Sequence, residues 1–93
     1  MRRYELTVIF PMEEDQHKAG RDLFLSDLQA NGVEIEKTDE LGERDLAYEI
    51  KKRTRGRYVL LVIKADPAKI TVLDRIFKLN ANLLKFLFVR IEE

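Results

Sequence analysis

The sequence contains no cysteine, and no apolar run approaches the roughly 18–20 residues that a membrane span needs. The lack of cysteine excludes disulfides and thiolate metal or redox sites, which fits a reducing cytoplasm. Met1 is followed at once by Arg2, Arg3 and a strand-like run, so we expect no signal peptide. These absences predict a cytoplasmic protein without a membrane segment.

Catalytic constellations are also missing. His17, the only histidine, falls on a charged helix face, where a solvated side chain is a simpler interpretation than a general base or a metal ligand. Glu13, Glu14 and Asp15 are typical of the start of a helix rather than of an acid–base pair. A small acylphosphatase would need an anion-cradling loop here, whereas "PMEED" repels phosphate. We therefore predict no enzymatic activity, cofactor, metal or small-molecule substrate.

The 93 residues, 45% of them hydrophobic, are enough for a single folded domain, residues 1–93.

The charges are balanced in sum but segregated along the chain. The 17 basic and 17 acidic residues cancel, which counts against a dedicated nucleic-acid binder. However, "EIEKTDELGERD" at 34–45 carries six acids, and "KKRTRGR" at 51–57 carries five cations and no acid.

The first half of the chain predicts a strand, a helix and a long second strand. Residues 3–10 alternate apolar and polar side chains, which is typical of a strand, and Pro11 ends it. Residues 15–30 carry Leu23, Phe24 and Leu28 at helical spacing, and Asn31-Gly32 is a fitting stop. Residues 33–50 read as strand-like but too long for one ordinary strand, and Gly42 indicates a bend or bulge.

The second half of the chain repeats the order strand, helix, strand. Residues 51–57 read as a hairpin loop and 58–65 as the third strand. Asp66 and Pro67 predict a helix start, with a stripe of Ile70, Leu73, Ile76 and Phe77 behind it, and 84–91 form a last strand. The order β-α-β-β-α-β predicts a ferredoxin-like α+β two-layer sandwich, a four-stranded antiparallel sheet with both helices on one face.

The third and fourth predicted strands are apolar on both faces, although two helices cover only one. We assign seven residues to the helix side: Leu6, Val8, Val59, Leu61, Ile63, Phe86 and Phe88. Six then stand on the open side: Ile9, Tyr58, Leu60, Val62, Leu87 and Val89. A register shift of one residue would exchange the two faces, and a surplus apolar patch remains in either case. An apolar patch of this kind marks a partner interface, and the alternative is ordinary exposure of apolar residues near strand ends.

Base stacking is a poor fit to the open face. RNA-recognition motifs stack bases on aromatic residues of the third strand, after an Arg/Lys-Gly pair. "RGRYVLLV" has Arg55 and Gly56, but Arg57 and Val59 stand where aromatic residues should be. The open face is therefore interpreted as a protein-docking surface.

The basic segment is the sharpest positive feature. Its cations are Lys51, Lys52, Arg53, Arg55 and Arg57. At a hairpin tip they can contact a phosphate backbone, since guanidinium groups fit pairs of phosphate oxygens. The alternative is a solvated loop whose charges guard the hairpin against aggregation.

Three stretches together resemble the bacterial small-subunit ribosomal protein S-six family over essentially the whole chain. They are the start "MRRYEL", the middle "LGERDLAYEI" followed by a basic stretch and "GRYVLLVIKA", and the end "NLLKFLFVR". The resemblance implies a ferredoxin-like ribosomal protein that pairs with small-subunit protein eighteen. As a heterodimer, the two would bind the central domain of small-subunit ribosomal RNA during assembly.

The resemblance also implies site residues. Arg2, Arg3, Arg44 and Tyr48 match the family's motif, and Lys85 and Arg90 match basic positions in its last strand. The arginine and lysine positions are expected to bind RNA with the basic segment, and Tyr48 to join the partner-docking set. Glu43 and Asp45 depart from a more basic family pattern, which shifts the expected RNA contact toward the hairpin.

A second class of function fits the same fold. A ferredoxin-like regulatory domain would pair with a copy of itself through the open sheet face. Such a protein would be a dimer alone in solution and would have no RNA affinity.

Overall fold

The computed structural model describes residues 1–91. The elements are β1 Arg2–Phe10, α1 Glu14–Ala30, β2 Glu34–Ile50, β3 Arg53–Ala65, α2 Pro67–Phe77 and β4 Lys85–Arg90. Within these residues the four strands form one sheet in the order β2-β3-β1-β4, each antiparallel to its neighbour. Both helices bury residues in one core on one face of this sheet. The predicted ferredoxin-like α+β fold is confirmed.

The core lies between the helices and one face of the sheet. Leu6 stands opposite Leu61 on β3 and Phe88 on β4, and residues directly opposite one another share a face. Phe77 of α2 lies at the centre, with its ring centroid 4.9 Å from that of Phe24 of α1. The seven residues assigned to the helix side all belong to this core or pack against it: Leu6, Val8, Val59, Leu61, Ile63, Phe86 and Phe88. The face assignment is confirmed.

The start of α2 follows the predicted capping chemistry. Asp66 Oδ1 accepts a hydrogen bond of 2.9 Å from the backbone N–H of Ala68, and Pro67 is the first helical residue. The cap satisfies one of the N–H groups that a helix start leaves unpaired, and proline has no N–H to satisfy. The helix then packs its predicted stripe on the core: Ile70, Leu73, Ile76 and Phe77.

The first helix is slightly longer than predicted, and one of its leucines points elsewhere. Glu14 and Asp15 occupy the first turn, where carboxylates favour the positive end of the helix dipole. Phe24 and Leu28 are buried, but Leu23 is exposed. Adjacent helical residues point about 100° apart, so burial of Phe24 turns Leu23 toward solvent.

Long strand β2 is irregular in three places. The register shifts between Glu40 and Gly42, where Gly42 has φ +83°, so the predicted bulge at this glycine is confirmed. The largest shift lies further on, because Asp45 stands opposite Arg55 and Ile50 stands opposite Arg53. Residues 46–49 thus stand against one residue of β3, and we call them the 46–49 insertion.

The β2–β3 connection is a two-residue turn rather than the predicted seven-residue loop. Lys51 and Lys52 have φ of 48° and 65°, the sign that a type I′ hairpin turn requires at both positions. Strand β3 begins at Arg53, so the prediction of a loop over 51–57 is wrong from residue 53 onward. The alternating positions of this part of the strand are occupied by cations rather than apolar residues, so the apolar alternation that predicts a strand is absent here.

A close contact ties α1 to the segment before β4. Buried Asn80 donates from Nδ2 to the carbonyl of Gly20 at 3.1 Å, and its Oδ1 accepts from the N–H of Asn82 at 3.0 Å. A Cβ added to Gly20 would lie 2.1 Å from the carbonyl oxygen of Asn82, so only glycine fits there. Over residues 1–91, no helix combines the length and the apolar character needed to cross a membrane.

Candidate nucleic-acid and protein interfaces

The open face of the sheet presents the apolar patch that the sequence predicted. Leu87 and Val89 of β4 are 55% and 48% exposed, and the side chains of Tyr58, Leu60 and Val62 are partly exposed. These five residues, which we call the open-face patch, alternate with core residues along β3 and β4. At one end lies a shallow depression of about 180 Å³, lined by Thr7, Ile9, Tyr58, Lys85, Phe86 and Leu87.

Ile9 lies on the open side, as predicted, but it is only 6% exposed. A Cβ added to Gly56 would lie 2.5 Å from Ile9 Cγ2 and 3.5 Å from Leu46 Cδ2, so the three residues adjoin. Leu46 belongs to the 46–49 insertion, which brings apolar surface from β2 over the end of β1. The chain's own fold thus covers Ile9 and leaves it little surface for a partner.

Tyr48 and Lys85 were expected in different interfaces, and the structure brings them together. Lys85 Nζ donates a hydrogen bond of 2.7 Å to Tyr48 Oη and lies 5.0 Å from the centroid of its ring. This distance permits a cation–π contact in addition to the hydrogen bond. Both side chains remain exposed, so the pair forms a rim at this end of the open face.

The three arginines of the hairpin point to the other side of the sheet. Gly56 faces Ile9 on the open side of the sheet. Successive residues of a strand point to opposite faces, so Arg53, Arg55 and Arg57, at every second position, point to the helix side. The apolar patch and the hairpin arginines therefore lie on opposite faces. A protein and a phosphate backbone can in principle contact the two faces at once.

Arg53 is held by the segment that starts α1. Its Nε donates to both carboxylate oxygens of Glu13, at 3.3 Å each, and its Nη2 donates to Gln16. The pKa of the Glu13 carboxyl is lowered from its ordinary value, first by a backbone hydrogen bond; burial opposes this, and the hydrogen bond and charge of Arg53 lower the pKa further. We predicted the Glu13 carboxylate as typical of a helix start, and in the structure it also binds an arginine of the hairpin.

Arg57 makes a second set of contacts with the same segment. Its Nη2 donates to the Glu14 carboxylate and to the carbonyl of Met12, both at 3.0 Å, and its Nη1 lies 3.4 Å from His17 Nδ1. Its Nε is buried without a hydrogen-bond partner among residues 1–91. Arg55 pairs with Asp45 of β2 at 3.2 Å. The basic segment contains no acid, but acids from elsewhere in the chain neutralise its three arginines.

The two lysines of the turn differ in their surroundings. Lys51 Nζ donates to the carbonyl of Leu83 at 3.2 Å, whereas Lys52 forms no ion pair with any residue in the described part of the chain. Arg44 lies opposite Gly56 and is exposed on the open side. These positions give the hairpin cations on both faces of the sheet.

A second basic region lies at the opposite end of the sheet. Arg2, Arg3 and Arg90, three of the predicted RNA-binding residues, line a depression of about 580 Å³. The other lining residues are Met1, Glu36, Lys64 and Ile91. Glu36 is 3.1 Å from Arg3 Nε and 3.7 Å from Lys64 Nζ. Lys64 was not among the predicted RNA-binding residues; it joins this region because it stands directly opposite Arg3 in the β1–β3 ladder.

His17 is partly buried rather than solvated as predicted. Its ring packs edge-on against Phe10, with the centroids 5.5 Å apart. Its pKa is lowered, first by burial and then by the nearby charges of Arg57 and Arg21. Among residues 1–91 no group of three or more histidine and carboxylate side chains is arranged to hold a metal ion.

Comparison with known proteins identifies the family. The family model for ribosomal protein S6 matches residues 3–90. The small ribosomal subunit protein bS6 of Treponema denticola is 55% identical over 93 residues, with 100% of each chain covered. The bS6 protein of Halalkalibacterium halodurans is 42% identical over 95 residues, also with 100% of each covered. The chain belongs to the ribosomal protein S6 family.

The S6 family assignment agrees with the fold. The crystal structure of 30S ribosomal protein S6 from Thermotoga maritima superimposes with a TM-score of 0.83 at 22% identity, covering 97% of this chain and 87% of that one. Family membership makes the chain a protein of the small ribosomal subunit, located in the cytoplasm on the ribosome. It belongs to the structural proteins of the ribosome, which associate with ribosomal RNA and with other ribosomal proteins.

Proposed function

We propose that this chain binds the central domain of small-subunit ribosomal RNA as half of a heterodimer with small-subunit ribosomal protein eighteen. In this role it supports subunit assembly and translation without catalysing a reaction. The observation that carries the proposal is the separation of two surfaces on one sheet. The open-face patch is apolar and is left partly exposed by the rest of residues 1–91, and Arg53 and Arg57 project on the opposite side.

The apolar term of this mechanism comes from the open-face patch. Burial of apolar surface contributes about 25 cal/mol per Å² before the costs of association. A standard interface of roughly 800 Å² on each partner is sufficient for stable pairing. Leu87 and Val89 are the most exposed apolar residues of the patch, so a partner seated there would gain most from β4.

The electrostatic term comes from two groups of cations. The hairpin offers Lys52 and, once a phosphate displaces Asp45, Arg55. The depression at the other end of the sheet offers Arg2, Lys64 and Arg90. Contacts between such side chains and phosphates weaken as salt displaces them. Because the chain has a net charge of zero, the partner must supply most of the attraction for RNA.

The test is to measure binding of a central-domain ribosomal RNA fragment by this protein, by protein eighteen and by the mixture. We expect tight, salt-sensitive binding only with both proteins. Tight binding by this protein alone would mean that the open-face patch needs another explanation. No binding in any mixture, together with a dimer of this protein in sedimentation, would favour the self-pairing regulatory domain and overturn the proposal.

A further inference from the structure

The start of α1 holds two hairpin arginines in contacts that a phosphate would have to replace. Glu13 accepts from Arg53, and Glu14 accepts from Arg57. A carboxylate presents two oxygens to a guanidinium group, and a phosphate presents the same arrangement. The two acids therefore occupy the donors through which these arginines would contact RNA.

The two sides of these ion pairs differ in exposure. The side chains of Arg53 and Arg57 are 25% and 26% exposed, whereas those of Glu13 and Glu14 are 52% and 82% exposed. Exposed ion pairs contribute little to stability, so the carboxylates can be displaced at small cost. Arg57 also keeps a buried Nε with no partner among the described residues, so its present contacts satisfy the guanidinium incompletely.

We propose that Glu13 and Glu14 act as an internal competitor of RNA for Arg53 and Arg57. This inference rests on the proposed function, because it concerns regulation of the same RNA contact. In the free chain the carboxylates neutralise the arginines and keep RNA affinity low. In the complex a phosphate of the ribosomal RNA takes the place of one or both carboxylates, while the uncharged contact from Arg53 to Gln16 can persist.

The competition is specific to two of the three acids at the helix start. Asp15 follows directly in the first turn of α1 but makes no ion pair with any residue between 1 and 91. The same holds for Asp22 further along the helix. These two residues allow a control that changes the net charge equally without freeing an arginine.

The experiment compares Glu13→Gln/Glu14→Gln with Asp15→Asn/Asp22→Asn, each mixed with protein eighteen and titrated with the central-domain RNA fragment. Glutamine keeps the size and an acceptor oxygen but removes the charge. We expect the glutamine variant to bind about tenfold more tightly than the control, as release of two exposed ion pairs allows. The slope of log affinity against log salt should steepen by up to about one unit, because removal of both carboxylates frees the arginine that stays paired when the wild-type chain exchanges only one.

Equal affinity and equal salt slope for the two variants would overturn the inference while leaving the proposed function intact. Failure of the wild-type pair and of both variants to bind RNA would instead overturn the proposed function, and the inference with it. Thermal unfolding checks that both variants fold. As a second measurement, the Nε–H signals of Arg53 and Arg57 in the NMR spectrum of the wild-type chain mixed with protein eighteen should shift when RNA is added, and unchanged signals in a mixture that binds the RNA would contradict the exchange.

Discussion

Lys85 Nζ donates a hydrogen bond of 2.7 Å to Tyr48 Oη and thereby links β4 to β2, the two edge strands of the sheet. The link is possible because the 46–49 insertion carries Tyr48 away from the regular ladder of β2. Leu46 of the same insertion adjoins Ile9 and Gly56. This end of the open face is therefore shaped by the chain itself before any partner binds.

Tyr48→Phe removes the hydrogen bond but keeps the ring near the Lys85 ammonium group. We expect a loss of no more than about 1 kcal/mol in the free energy of unfolding, since the hydrogen bond is exposed. Tyr48→Ala also removes the cation–π contact and should cost more. Urea denaturation measures both, and equal losses for the two variants would show that the ring contributes nothing.

Gly56→Ala tests the close packing between the hairpin and β1. The new Cβ would lie 2.5 Å from Ile9 Cγ2 and 3.2 Å from the carbonyl oxygen of Phe10, so the strands must shift. We expect a destabilisation of about 1–3 kcal/mol, as overpacking of a core produces.

Gly42→Ala is the matched comparison for that variant. Gly42 has φ +83° and nothing within 4 Å of an added Cβ, so the cost of alanine there is conformational alone, about 1–2 kcal/mol. Chemical denaturation gives both values. A Gly56→Ala variant no less stable than the wild type would contradict the contact of Gly56 with Ile9.

His17 predicts a pH dependence of stability. Its pKa in the folded chain lies below its ordinary value of 6.5 because of burial and the charges of Arg57 and Arg21, which Glu14 and Glu40 oppose in part. As the pH falls, the unfolded chain therefore binds a proton at His17 before the folded chain does. The contribution of neutral His17 to the free energy of unfolding is complete above about pH 6.5 and is lost as the pH falls below that value.

Replacement of His17 by Gln should therefore reduce the change in the free energy of unfolding between pH 7.5 and pH 5. Denaturation curves at several pH values measure the difference between variant and wild type. A constant difference across that range would show that titration of His17 is not coupled to folding.

Leu60→Asp should weaken pairing with protein eighteen by at least about tenfold, because a carboxylate would replace an apolar side chain at the centre of the open-face patch. Leu79→Asp, an exposed position after α2, is the control and should pair normally. Calorimetric titration measures pairing, and urea denaturation measures stability. Pairing by the Leu60 variant equal to that of the control would place the partner elsewhere.

Replacement of Arg53, Arg55 and Arg57 by Ser should weaken RNA binding by the heterodimer and flatten its salt dependence, while fold and pairing persist. The salt slope should fall by up to about two units. Removal of three exposed helix cations, Lys18, Lys69 and Arg75, is the charge-matched control. An unchanged slope in the arginine variant would move the RNA contact to the depression around Arg2 and Arg90.

Much of the fold was predictable because local signals agreed with the global plan. Alternation along β1, the Asp66-Pro67 start of α2 and Gly42 in β2 each specify a local conformation that the folded chain keeps. Because β3 is apolar on both faces, the sequence likewise predicted an apolar patch on the sheet face that the helices leave open. The strand character of 53–57 was not predictable, since cations rather than apolar residues occupy its alternating positions.

By itself the sequence determined the order of elements and the presence of surplus apolar and basic side chains. Only the tertiary structure decided which charges meet, because ion pairs such as Arg53 with Glu13 and Arg57 with Glu14 join residues about forty positions apart. It also decided that Ile9 is covered and that Tyr48 reaches Lys85. Such pairings depend on strand register and on the 46–49 insertion, and neither leaves a periodic signal in the chain.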